Sequence, residues 1–201
     1  MIELERHLVA DVAIHTRFVD YCVGLFPQVI TRSAVKKAIK KGDFLHNDVT
    51  AETRTWIEVG DVVKLIDQQN RIPKSFPLTI EVIMQDEHFA IVNKPSGLVV
   101  SGNQHRTLVN ALVDDLELSK ELDAYKWGKP VHRLDSATSG LVIIAKTALA
   151  HASFGKMFEN REIRKTYIAI VQGKVDNQNI EQEIDGKDAR TGLKVIKLIG
   201  S

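Results

Sequence analysis

The chain has 201 residues, 44% of them hydrophobic, and a formal net charge of +1. These totals predict one ordinary globular domain together with a small one, with enough apolar residues for packed cores. No apolar run approaches the roughly 20 residues of a membrane-spanning helix, and the first residues lack a signal-peptide pattern. The single cysteine, Cys22, excludes an internal disulfide. We therefore expect a cytoplasmic protein without membrane association, and a monomer by default.

Residues 12–66 form the first predicted block. It opens with a helix whose apolar residues recur every four positions: Phe18, Cys22 and Phe26. The stretch "TRSAVKKAIKKG" predicts a second helix, which Thr31 or Ser33 can cap at its start. Gly42 can end this helix in a left-handed conformation.

One face of the second helix is predicted to be basic. When the helix is projected at about 100° per residue, its alanine, valine and isoleucine side chains share one side. The opposite side holds Arg32, Lys36, Lys37, Lys40 and Lys41. A solvated face is the ordinary interpretation of such a helix. We favour phosphate binding, because no glutamate stands four residues away to neutralise these charges.

The segments after this helix predict a small sheet. "FLHNDV" indicates a strand and an Asn47-Asp48 turn, and "VGDVVKLI" indicates a Gly-Asp turn before a closing strand. Together with the capped basic helix, they resemble the S-four-type RNA-binding module of ribosomal proteins. The resemblance implies that Ser33 joins the basic residues in binding RNA. His46 and Asp48 stand where Val and Gly are usual, so we expect the hairpin tip to contact RNA differently.

Residues 67–79 are polar, contain two prolines and predict an inter-domain linker. Residues 80–201 then read as the strands "IEVIM" and "HFAIVNK", the helix "RTLVNALVDDL", the buried strand "GLVIIAK", a helix capped by Thr147 and the strand "RKTYIAIVQG". We predict an α+β fold, with a small N-terminal α/β domain before a mixed, largely antiparallel sheet domain. For Lys94 and Lys146, at strand ends, a solvated side chain is the ordinary interpretation, and a contact with phosphate is the alternative.

Asp135 lies in "VHRLDSATSGLVIIAK", immediately before the buried strand. An ionised carboxylate beside a core needs charged or hydrogen-bonding neighbours. Arg133, two residues away in an extended segment, and the turn donors of Thr138 and Ser139 are the candidates. Such donors would keep Asp135 ionised, as a nucleophile or a general base requires. On these residues alone, a turn-capping aspartate is the alternative.

Three segments in this order resemble pseudouridine synthases of the RluA type: "IVNKPSGLVVSG", "HRLDSATSGLVIIAK" and "FENREIRKTYIAIVQGKV". The resemblance implies an RNA isomerase that needs no cofactor and no metal. Asp135 would be the catalytic aspartate at the ribose of the target uridine, either as a nucleophile or as a base on a sugar proton. Arg133 would enter the RNA stack where the uridine flips out, and Tyr167 would stack on the uracil. His132 and Thr138 are the remaining expected substrate contacts.

The family's later segment "TGR-HQIR--L", whose basic residue pairs with the catalytic aspartate, has no counterpart here. We therefore expect a truncated form or a fragment, with an incomplete catalytic domain. Two functions stay open. The first is an RNA pseudouridine synthase acting on large-subunit ribosomal RNA, with transfer RNA as the other substrate. The second is an RNA-binding protein without catalysis.

Overall fold

The computed structural model describes residues 2–67, 72–184 and 186–198. It divides into two compact units, Met1–Ile163 and Arg164–Ser201. The first unit contains two antiparallel sheets, each with a buried hydrophobic core of its own. The predicted combination of α-helices with antiparallel sheets is thereby confirmed. No helix in the described part of the chain is long and apolar enough to cross a bilayer.

The first sheet has the strand order β1-β4-β2-β3, with every pair antiparallel. Its elements are β1 (Ile2–Leu8), α1 (Phe18–Tyr21), α2 (Arg32–Lys41), β2 (Phe44–His46), β3 (Val49–Thr50) and β4 (Val62–Asp67). The three apolar residues of the first predicted helix are all buried, although α1 itself is only one turn long. Strand β1 was absent from the predicted elements, and it extends this sheet to the N-terminal side of residue 12.

The predicted ends of α2 are confirmed. The hydroxyl oxygen of Thr31, and not that of Ser33, accepts a hydrogen bond from the amide of Ala34 at 3.1 Å. Gly42 closes the helix with φ 77°, a left-handed conformation that costs glycine little. The apolar face is buried, so the basic face points away from the core.

The predicted linker, residues 67–79, is described only in part. Asp67 is the last residue of β4, and residues 68–71 lie outside the described residues. Beyond them, the amide of Phe76 donates to the carbonyl of Asn110 at 3.0 Å, which ties this part to the elements that follow. The predicted domain boundaries on either side stay a prediction.

The second sheet has the strand order β5-β6-β8-β7, again with every pair antiparallel. Its elements are β5 (Glu81–Gln85), β6 (Phe89–Lys94), α3 (Leu108–Ala111), β7 (Ala124–Pro130), β8 (Gly140–Thr147) and α4 (Ala148–Glu159). The predicted buried strand is β8, at the centre of the sheet beside β6 and β7. Thr147 caps α4 as expected, since its hydroxyl accepts from the amide of Ala150 at 3.2 Å. The predicted helix before β7 is reduced to one turn, α3.

Gly128, in β7, lies where its neighbours leave no room for a side chain. A Cβ at this position would collide with Cγ2 of Ile144 and would lie 2.8 Å from Cδ1 of Leu116. We expect Gly128→Ala to lower the free energy of unfolding by about 1–3 kcal/mol, because Ile144 cannot move away as a flexible chain end could. Gly155→Ala is the control, since no atom lies within 4 Å of its Cβ in α4. Urea unfolding should show a gain of about 0.5–1 kcal/mol for that control.

The second unit contains one hairpin, formed by β9 (Gln178–Ile184) and β10 (Lys187–Leu193). The prediction of a strand over "RKTYIAIVQG" is wrong, because residues 164–172 adopt no strand. Alternating apolar residues favour an extended chain, but a strand also needs a hydrogen-bonding partner. No described residue supplies such a partner, and Ile168 and Ile170 remain exposed.

Candidate active site and basic surface

Asp135 lies in the connection between β7 and β8, on a tight turn over Ser136 and Ala137. The amide of Thr138 donates to the main-chain carbonyl of Asp135 at 3.0 Å and closes the turn. The Asp135 side chain is exposed, so its carboxylate is open to a ligand. This exposure differs from the buried environment that the neighbouring apolar run suggests.

The loop after β6 holds this turn from one side. The amide of Gly97 donates to the carbonyl of Ser136 at 2.8 Å. The hydroxyl of Ser96 donates to the carbonyl of Ala137 at 2.7 Å. Gly97 has φ 81°, a backbone conformation that other residues rarely adopt. Two segments that are distant in the sequence, "KPSG" and "LDSA", therefore form one bonded structure.

Lys94 is the buried centre of this structure. Its ammonium donates to the carbonyls of Leu98 at 2.7 Å, Pro95 at 2.9 Å and Ser136 at 3.2 Å. Burial lowers the pKa of Lys94, and the nearby charge of Asp135 opposes part of that change. The interpretation of Lys94 as a solvated strand-end lysine is therefore wrong.

Lys146 is buried as well, and the same interpretation is wrong for it. Its ammonium donates to the carbonyl of Asp86, in the turn between β5 and β6. Both buried lysines thus bind main-chain oxygens, which satisfies their charge without a buried carboxylate. In the sequence they look like ordinary surface lysines because the loops that cover them are distant in the chain.

The expected neighbours of the Asp135 carboxylate are arranged differently from the prediction. Arg133 is exposed, and it forms no ion pair or hydrogen bond with any residue that the structure describes. The amide of Thr138 is used by the main chain of the turn. The charge of Asp135 instead acts on the pKa of Lys94, a residue that the sequence pattern did not assign to the site.

His132 is held by the sheet. Its Nε2 accepts a hydrogen bond from the amide of Ile143 at 3.1 Å, and its ring centroid is 4.9 Å from that of Phe158 in α4. Tyr167 belongs to the second unit, where its side chain is 59% exposed. Stacking of Tyr167 on a uracil stays a prediction. The described residues contain no group of three or more His, Cys, Asp or Glu side chains that could hold a metal ion.

The basic face of α2 lines an open groove on the surface of the first unit. The groove is lined by Arg32, Ser33, Lys36, Lys37 and Lys40. The four lysines of the face form no ion pair with described residues. Arg32 differs from the prediction, because its Nε lies 2.8 Å from a carboxylate oxygen of Asp20 in α1. The sequence spacing could not show this pair, since Asp20 belongs to another helix.

The side chains at the hairpin tip between β2 and β3 pair with residues in and just before β4. Nε2 of His46 lies 2.8 Å from a carboxylate oxygen of Asp61, and the Lys64 ammonium lies 2.6 Å from the Asp48 carboxylate. The hydrogen bond from the Lys64 ammonium, and then its positive charge, hold the pKa of Asp48 below its usual value. Asn47 and Asp48 both have positive φ, as the predicted two-residue turn requires. His46 and Asp48, which stand where the RNA-binding module usually has Val and Gly, therefore both have partners within the first unit.

Lys129, in β7, lies where the second sheet approaches α2. Its ammonium is 3.4 Å from the ring centroid of Tyr125, a cation–π contact. Burial, and then the charges of Lys41 and Lys37, lower the pKa of Lys129 to about 8. The folded protein therefore contains a partly buried cation beside two like charges of α2.

The lowered pKa of Lys129 predicts that the free energy of unfolding depends on pH. Between about pH 8 and the usual Lys pKa of 10.5, the unfolded chain holds a proton on Lys129 that the folded chain has released. Stability should therefore rise with pH in this window, by at most roughly 3 kcal/mol for this group. Below pH 8, Lys129→Met should be more stable than the native chain, and urea unfolding at pH 7.5 and pH 10 should show that gain shrinking. A gain of equal size at both pH values would contradict the assignment to Lys129.

Comparison with known proteins gives a consistent result. Residues 88–199 match the family described as RNA pseudouridylate synthase. "Ribosomal large subunit pseudouridine synthase D" of Xanthomonas campestris is 35% identical over 85% of this chain and 52% of that protein. The protein of the same name from Xylella fastidiosa is 36% identical, over 81% of this chain and 50% of its own length. An "Uncharacterized RNA pseudouridine synthase" of Aquifex aeolicus is 33% identical over 83% of this chain and 60% of that protein.

The chain spans about half the length of the two relatives named first. Among solved structures, "Human RNA Pseudouridylate Synthase Domain Containing 4" aligns with 41% of this chain and 30% of its own chain, at 22% identity. The TM-score of this alignment is 0.32.

Proposed function

This chain belongs to the RNA pseudouridylate synthase family, and we propose that it isomerises uridines in RNA with Asp135 as the catalytic carboxylate. The single observation that supports this assignment is the exposed carboxylate of Asp135. The turn that bears it is held by hydrogen bonds from buried Lys94 and from the loop after β6. The main chain holds this residue, and its carboxylate oxygens form no hydrogen bond or ion pair with the residues that the structure describes, so the carboxylate is prepared to act on a ligand.

The reaction breaks the bond between the ribose and the uracil nitrogen and forms a bond from the same sugar carbon to ring carbon five. Ring carbon five loses its hydrogen, and the released nitrogen gains one, so no oxidant and no reductant is needed. Asp135 would act on the sugar, either as a nucleophile or as a base. The target uridine must leave the RNA stack first, and exposed Arg133 is free to enter the gap. Tyr167, His132 and Thr138 are the other proposed substrate contacts.

The proposed substrate is large-subunit ribosomal RNA, with transfer RNA second. The names of the relatives support ribosomal RNA. RNA would also lie on the basic face of α2, in an S-four-type module covering residues 12–66. Residues 67–79 would link this module to the catalytic domain over 80–201. We propose that the protein works in the cytoplasm as a monomer.

Tritium release tests the proposed function directly. RNA whose uridines carry tritium at ring carbon five should lose it to water when the 201-residue chain is added. RNA labelled at ring carbon six is the matched control, because that hydrogen stays on the product. Release from the first RNA alone would support the isomerase. No release from either RNA, under conditions where the chain binds the RNA, would overturn it.

RNA binding without catalysis is the second candidate, and it is favoured by the lysines of α2, which form no ion pair with any described residue. For single strands, the logarithm of the affinity should fall by roughly 0.7 per phosphate contact for each logarithmic unit of salt. Replacing the four lysines of this face with methionine should flatten that dependence. An unchanged slope would exclude α2 as the phosphate-binding surface.

A further inference from the structure

Lys129 belongs to the second sheet, yet its charged neighbours lie on α2. Two contacts join the part of the first unit that holds α2 and β4 to β7 and the segment before it. The side-chain amide of Gln28 donates to the carbonyl of Leu122 at 3.4 Å, and the Lys126 ammonium pairs with the carboxylate of Asp67. Lys129 follows Lys126 by three residues in β7. The region between α2 and β7 is therefore a junction of the two sheets within the first unit.

Three lysines at this junction form no ion pair with any carboxylate in the described part of the chain. Lys37 and Lys41 lie one helical turn apart on α2, and both are exposed. Both act on Lys129 as like charges. His151 of α4 also faces Lys129, and it adds no negative charge.

An ordinary surface lysine avoids such repulsion by extending into water. Lys129 is partly buried against Tyr125, so its ammonium has less freedom to move away from α2. Like charges held together without a counter-ion favour an anion between them, and a phosphate group fits that requirement. Lys37 also lines the groove of α2, so the groove and the junction share a residue.

We propose that Lys37, Lys41 and Lys129 together bind a phosphate of the RNA backbone, so that one RNA strand is held by α2 and by the second sheet at once. This inference rests on the proposed function for the identity of the anion. The inference goes beyond the proposed function by placing a phosphate contact on β7, outside the basic face of α2. The junction would fix the path of the RNA from the N-terminal module onto the sheet that bears Asp135.

The test is the salt dependence of RNA affinity, measured by fluorescence anisotropy with a labelled ribosomal RNA fragment across a series of KCl concentrations. Lys129→Met should make the slope shallower by roughly 0.7, as should Lys41→Met. Lys129→Arg keeps the charge and should restore the native slope. Lys156→Met is the matched control, because Lys156 is an exposed lysine of α4 that is not one of the three, and its loss should leave the slope unchanged.

A native slope in Lys129→Met would overturn the phosphate site, and so would a native chain with no measurable RNA affinity. Tritium release, measured on the same proteins at saturating RNA, separates this inference from the proposed function. A shallower slope in Lys129→Met, with no release from any chain, would support the phosphate site while the isomerase proposal fails. Release by the native chain with an unchanged slope would overturn the phosphate site alone.

Discussion

Asp135→Asn is expected to reduce uridine conversion by roughly 10³-fold or more, because asparagine can act neither as the nucleophile nor as the base. The two side chains have nearly the same shape. The turn is held by main-chain groups of Asp135, Ser136 and Ala137, which this substitution leaves in place. RNA affinity and the free energy of unfolding should therefore change little, by about 0.5 kcal/mol or less for the latter. Tritium release and anisotropy on one preparation measure both properties.

Glu121→Gln is the control for this experiment, because it also removes one exposed carboxylate, from a residue outside the turn. It should retain native conversion. Undiminished conversion by Asp135→Asn would remove Asp135 from the chemistry. Equal losses in both variants would point instead to a general effect of charge on RNA binding.

Lys94→Met is expected to lower the free energy of unfolding by about 3–5 kcal/mol, because three carbonyls lose their charged donor inside the protein. Methionine can fill the space of the lysine stem, so the loss measures hydrogen bonding more than packing. The Ser136 carbonyl is one of the three acceptors, so the turn that bears Asp135 should also loosen. Conversion should then fall even at temperatures where the variant is folded. Urea unfolding gives the stability, and tritium release well below the unfolding midpoint gives the activity.

Lys146→Met is the matched comparison, since Lys146 is also buried and donates to a single carbonyl in a turn far from Asp135 in the sequence. We expect it to cost about 1–2 kcal/mol and to leave conversion near the native value. If Lys94→Met costs no more than Lys146→Met, the three hydrogen bonds of Lys94 do not stabilise the turn as we infer.

The local parts of the fold could be predicted from the sequence. Helix α2 combines a capping Thr31, a buried apolar face and a closing Gly42, and each of these signals lies within one short stretch. The two-residue turn of the first hairpin and the buried strand β8 are local in the same sense. Propensity, periodicity and turn chemistry agree at these places, so nothing distant needs to be known.

Contacts between distant segments could not be predicted. Lys94 is one residue before a Pro-Ser-Gly turn, and only the folded chain brings Ser136 within reach of its ammonium. Arg32 looks unpaired along α2, yet Asp20 of another helix neutralises it. The strand prediction for "RKTYIAIVQG" is wrong for the opposite reason. Its alternating apolar residues are a local signal, but the segment has no partner strand among the described residues. Burial and pairing are properties of the whole fold, and a short pattern does not contain them.

The pairing of β1 with β4 has a kinetic consequence. Leu8 pairs with Val62, whereas the neighbouring hairpin pairs Leu45 with Thr50. Closing a loop of roughly 55 residues costs more chain entropy than closing a short turn, so the hairpin should form early and β1 should join the sheet late. Until then one edge of β4 stays open to pairing with another chain. Strand β1 would thus act during folding as the segment that ends the exposure of this edge, and a shortened chain starting at Val12 would keep the edge open permanently.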